Sequence, residues 1–92
     1  MQQYDIHHDP VAHRFTTTVE GVEAEVTYHY DGSILVINHT GVPRPIEGRG
    51  IASELVRAAF EFARSTGTRV RPACSYAAAW VQRHQQYADL LA

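Results

Sequence analysis

The chain has a single cysteine, Cys74, so no disulfide can form within it and no cysteine-built metal centre is available. That economy fits a reducing compartment. No run approaches the roughly 20 apolar residues needed to cross a bilayer. The first ten residues hold His, Asp and Gln where a secretory signal would carry an apolar stretch. A cytoplasmic protein with no membrane contact is expected. An excess of charge of one sign is also missing. Ten acidic residues face eight basic ones, for a net charge of -2. Nothing in that balance draws the whole chain to nucleic acid, which is not an expected partner. Repeats, low-complexity segments and long linkers are absent too. Ninety-two residues make one domain, 1–92, with one modest core and no second lobe. A monomer or weak homodimer is expected.

What is present reads in order. Residues 1–13 are polar and are expected to form a loose start with room for a short edge segment. Adjacent His7 and His8 point in opposite directions in an extended chain, so they make a poor metal pair. Arg14 to Val19 is rich in Thr and carries Phe15, which favours a strand. From Val22 to Tyr30, Val22, Ala24, Val26 and Tyr28 alternate with Glu23, Glu25 and Thr27. This is the period of a half-buried strand. Asp31-Gly32 is a hairpin turn, and Ser33 to Thr40 fits a central strand. Helical spacing then takes over, with Ile51, Leu55, Ala58, Ala59, Phe62 and Ala63 on one stripe and Val56 beside it. Glu54, Arg57, Glu61 and Arg64 suit the wet face, and Gly67 suits the C-cap. Arg69 to Cys74 reads as extended, and a second helix starts near Ser75. The order β-β-β-α-β-α predicts an α/β (α+β) fold, with two main helices on a mainly antiparallel sheet.

Between strand and helix lies Val42-Pro43-Arg44-Pro45-Ile46-Glu47-Gly48-Arg49-Gly50-Ile51-Ala52. Glycines at a helix start expose successive N–H groups, and such a terminus attracts anions. Arg49 and Arg44 offer charged donors, whereas Glu47 opposes an anion unless it turns away or pairs. The stretch has neither the Lys-Ser/Thr ending of a P-loop nor the dinucleotide fingerprint. Taken alone it is either a tight turn or an anion site.

Glu47-Gly48-Arg49-Gly50-Ile51-Ala52 resembles the Gln/Arg-x-x-Gly-x-Gly/Ala motif of the GCN5-related N-acetyltransferase superfamily. His39-Thr40-Gly41-Val42-Pro43 and Val70-Arg71-Pro72-Ala73-Cys74-Ser75-Tyr76 resemble segments of its small single-domain, YjdJ-like subgroup. The similarity runs from about Phe15 to Leu91. It implies a compact acetyltransferase fold and acetyl-CoA (or CoA) as the bound partner. It implies further that backbone amides of Glu47, Gly48, Arg49, Gly50, Ile51 and Ala52 hold the pyrophosphate, with Thr40 and Val42 beside them. Glu47 stands where the family has Gln or Arg, Gly41 where the subgroup has an acidic residue, and Gln85 where its closing stretch has proline.

Acetyl transfer needs an amine at the thioester, a proton acceptor, stabilisation of carbonyl charge and a proton for the leaving sulfur. None of these requires a metal. A strand distorted near the acetyl group would offer N–H groups to its carbonyl. Cys74, before a helix, is either a nucleophile or a passive small side chain. His39 is either a base or a satisfied strand-end histidine. Tyr76 is either a proton donor to the thiolate or a packed aromatic. Trp80 and Tyr87 read as packing residues. The expected activity is N-acetyl transfer to a small amine or a protein lysine. A non-catalytic CoA-binding or regulatory module is the alternative.

Overall fold

A computed structural model describes residues 4–92. It is a five-stranded sheet with two helices on one face. Strands β1 (His7–Asp9), β2 (Arg14–Val19), β3 (Val22–Asp31) and β4 (Ile34–Gly41) form an antiparallel meander in sequence order. Helix α1 (Ile51–Thr66) then crosses over, so that β5 (Arg69–Pro72) runs parallel to β4. Helix α2 (Ser75–Gln82) and a short 3₁₀ turn (Gln85–Leu90) follow. The last residues return to the β5 edge, where the Ala92 amide donates to the Val70 carbonyl at 2.9 Å.

The period-2 pattern of β3 sorts its faces. Ala24, Val26 and Tyr28 are buried against α1, while Glu23 and Glu25 lie on the opposite face with Arg14 between them. That opposite face carries neither helix. On α1 the buried set is Ile51, Leu55, Val56, Ala59, Phe60 and Ala63. Phe60, outside the expected stripe, is fully buried because α2 covers that flank of the helix. Its ring lies 5.3 Å from Trp80 and 5.7 Å from Tyr87. Phe62 is only half-buried and packs towards β1 instead. Gly67 closes α1 in the left-handed conformation.

The N-terminal segment contributes the edge strand β1, and residues 1–3 lie outside the described residues. The Thr17 hydroxyl donates to the Asp5 carbonyl at 3.0 Å and ties this segment down. His7 is exposed, whereas His8 turns inward, stacked on Phe15 at 4.1 Å with its Nε2 2.6 Å from the Tyr28 hydroxyl. Burial lowers the pKa of His8 below the usual value near 6.5, and the His13 charge adds to the effect against the opposing pull of Asp9. The unfolded chain therefore binds this proton more readily than the folded one. The stability tied to neutral His8 is complete above about pH 6.5 and declines as pH falls through the lowered folded value. Urea unfolding between pH 7.5 and 5 should show this decline, and His8→Phe should flatten it. An unchanged slope in His8→Phe would assign the pH dependence elsewhere.

Candidate functional site

After β4 the chain makes one 3₁₀ turn, Arg44–Ile46, pinned by the fully buried Ile46 side chain. Glu47 and Gly48 follow, and Gly50 is the N-cap of α1. Gly48 and Gly50 have φ of 78° and 76°, the left-handed region that side chains resist. Gly50 gives α1 no side-chain cap, and the first intrahelical bond runs from the Glu54 amide to the Gly50 carbonyl. The amides of Ile51, Ala52 and Ser53 thus have no acceptor within the helix. They are the positive end of a 16-residue helix dipole.

This terminus opens on a groove of about 500 Å³. Gly48, Gly50, Ile51 and Ala52 line one part of it, and Thr40, Val42 and Tyr76 another. The buried Ile46 forms part of the groove floor, and the Glu47 side chain is exposed where it borders the groove. A glycine at position 50 keeps the cradle open, since nothing stands within 4 Å of a Cβ built there.

The sheet is distorted where it meets the groove. Tyr28 pairs with Ile37 and Thr27 with His39, which leaves Asn38 as an extra residue in β4. The pairing of β4 with β5 ends at the same place. Pro72 is the last partner of Ile37, and the amides of both Ala73 and Cys74 donate to the Ile37 carbonyl. Past this point the connection between β4 and α2 is through side chains, with Thr40 Oγ1 3.4 Å from Cys74 Sγ. Cys74 is the N-cap of α2 and its sulfur accepts the Ala77 amide at 3.3 Å.

The structure brings together Thr40, Val42, Glu47, Gly48, Gly50, Ile51, Ala52 and Tyr76 around one groove. Cys74 touches Thr40 and is not among the residues that line the groove. His39 is on the helix-free face of the sheet, opposite Thr27, because adjacent residues of a strand point to opposite faces. Its imidazole lies over Gly41, where a Cβ would meet Nε2 at 2.9 Å. A side chain at position 41 would need the exposed His39 imidazole to move aside. The Arg49 side chain also points elsewhere, to Glu20 in the β2–β3 turn at 2.7 Å. Each shifts the other, the guanidinium holding the Glu20 carboxyl below its usual range. Ile46 is the groove residue the motif reading passed over. Its signal was a lone large apolar side chain inside a Pro/Gly/Arg turn.

Burial raises the Tyr76 phenol above its usual value, only partly offset by the Arg83 charge and the Ser53 hydroxyl. It is therefore protonated at neutral pH and able to donate a hydrogen bond. A groove with free helix-terminal amides at one end and a phenol beside a bulged strand suits a ligand that is anionic at one end and reactive at the other.

The protein is similar in sequence to protein NATD1 of several vertebrates. It is 33% identical to the Bos taurus protein over 91 residues, covering 94% of this chain and 80% of that one. The Homo sapiens protein is 32% identical over the same coverage. In structure it is similar to a GCN5-like protein from Staphylococcus aureus solved by NMR, with a TM-score of 0.76 and 26% identity. That match covers 100% of this chain and 91% of the other. The sequence profile described as GCN5-related N-acetyl-transferase matches residues 14–90, which include β2 to β5, both helices and the whole groove. The matched residues cover most of the chain, and the chain belongs to the GCN5-related N-acetyltransferase family.

Proposed function

We propose that the protein is an acetyl-CoA-dependent N-acetyltransferase of the small, YjdJ-like kind, acting on a small amine or a protein lysine. The observation that carries this reading is the uncapped α1 terminus facing the groove. The amides of Ile51, Ala52 and Ser53 would hold the pyrophosphate, and left-handed Gly50 lets it approach the backbone. Val42 offers apolar surface to the pantetheine arm. Acetyl-CoA supplies an activated thioester carbonyl.

Attack by the amine forms the new C–N bond, breaks the C–S bond and leaves a CoA thiolate that needs a proton. Tyr76, held neutral by burial, is the side chain on the groove able to donate it. The proton lost by the amine passes to solvent in this reading, because His39 lies on the opposite, helix-free face of the sheet. Direct transfer is favoured over an acetyl-cysteine route. The Cys74 sulfur is engaged by the Ala77 amide and the Thr40 hydroxyl and is not among the groove-lining groups.

Two measurements test this. Free CoA should appear only when an acceptor amine is present, and Tyr76→Phe should lower kcat by about a hundredfold. Mass spectrometry after exposure to acetyl-CoA should find Cys74 unmodified. CoA binding without amine-dependent turnover across an amine panel would instead mark a binding module. No binding at millimolar CoA would reject both.

A further inference from the structure

We infer that Glu20 and Tyr4 are positioning residues that clamp the Gly48–Gly50 turn from outside and so hold the phosphate cradle in shape. The inference rests on the reading of the groove as the CoA site.

The turn needs an external hold. Two left-handed glycines flank Arg49, and no side chain caps the helix that follows. Glycine there leaves the backbone freer than any other residue would. Arg49 is tethered at both ends. Its guanidinium meets Glu20 through two bonds, Nη1 to Oε2 at 2.7 Å and Nη2 to Oε1 at 3.4 Å. Its backbone carbonyl accepts the Tyr4 hydroxyl. These tethers come from the β2–β3 hairpin and the N-terminal segment, 29 and 45 residues away in the chain. They join three segments far apart in sequence at the centre of the Gly-Arg-Gly turn.

Glu20 sits in an unfavoured place for its type. Its φ is 52° and that of Gly21 is 77°, and Val19 pairs with Val22 around them. Such a two-residue hairpin turn prefers Asn or Asp at the first position. The local backbone gains nothing from glutamate, whereas the longer carboxylate reaches Arg49. The pairing also turns the arginine away from the groove, which leaves anion binding to the backbone amides.

This separates stability from affinity. Glu20→Asn suits the turn but loses the carboxylate. It should leave the melting temperature unchanged or raised, and yet weaken CoA binding about threefold to fivefold, the scale of an exposed ion pair. In the ligand-free protein, the Glu54 amide, bonded to the Gly50 carbonyl, should exchange faster by a similar factor. Arg49→Met should match Glu20→Asn, and the double variant should add nothing. Tyr4→Phe should shift the same two readouts. Glu20→Asp, which keeps a carboxylate on a turn-compatible side chain, should recover part of the loss, and KM for acetyl-CoA should rise with kcat unchanged.

Unchanged exchange and affinity in Glu20→Asn would overturn the clamp. Tighter binding would also overturn it, because Arg49 would then be a phosphate ligand that Glu20 restrains. If the parent protein binds no CoA, the functional reading fails, and the Glu54 exchange rate still decides for or against the clamp.

Discussion

Gly50→Trp is expected to weaken CoA binding by about a hundredfold or more in a chain that remains folded, equivalent to about 2.8 kcal/mol. The reasoning has two parts. Position 50 requires a φ of 76°, which costs a side-chain-bearing residue about 1–2 kcal/mol. A domain of ordinary stability absorbs that cost, since the total is about 5–15 kcal/mol. The larger effect is obstruction, because the indole would stand among the amides of Ile51, Ala52 and Ser53. Gly50→Ala separates the two parts. It carries the same backbone strain, but its Cβ meets nothing within 4 Å. Alanine should therefore lower the melting temperature about as much as tryptophan and retain most of the affinity. Calorimetry with CoA on both variants, alongside thermal melts, provides the check. Affinity kept within about threefold by folded Gly50→Trp would place the ligand elsewhere.

Trp80→Ala is expected to cost about 3–5 kcal/mol and lower the melting temperature by about 15–25 °C. Trp80 is 1% exposed and ties both helices together. Its ring stacks on Phe60 at 5.3 Å and on His84 at 4.0 Å, and Arg57 lies over it at 5.4 Å. Its indole N–H donates to Ser53 Oγ at 2.8 Å, in the first turn of α1 below the groove. Removing the ring empties the seam between α1 and α2 and strands that hydroxyl. Trp80→Phe keeps most of the packing and loses the donor, so about 1–2 kcal/mol is expected. Urea melts followed by far-UV circular dichroism measure both. A loss below about 1 kcal/mol for Trp80→Ala would mean that the helix pair does not depend on this contact.

The sheet and its first helix were legible because their signals are local. The alternation of β3 and the turn dipeptides depend on neighbours in the chain, and each element emerged within a residue or two of its reading. Phe60 was not legible as core. Periodicity marks an apolar stripe, but the width of the buried surface depends on what else packs there, and α2 covers the flank that holds Phe60. The bulge at Asn38 was not legible either. An extra residue in a strand is defined only against its partner, here Thr27 and Tyr28 of β3.

The turn from Glu47 to Ala52 divides along the same line. The sequence by itself determined that the chain would bend there on glycines and start a helix with bare amides. Backbone permissiveness and missing side-chain caps are properties of residue type. Only the tertiary structure decided which charges meet. Arg49, a natural phosphate ligand by type, is turned outward by Glu20 from a hairpin 29 residues away. Cys74 meets Thr40, 34 residues away in the chain, where the pairing of β4 with β5 ends. Charge and nucleophilicity belong to the residue. The direction in which they act comes from long-range packing, which no single stretch of sequence contains.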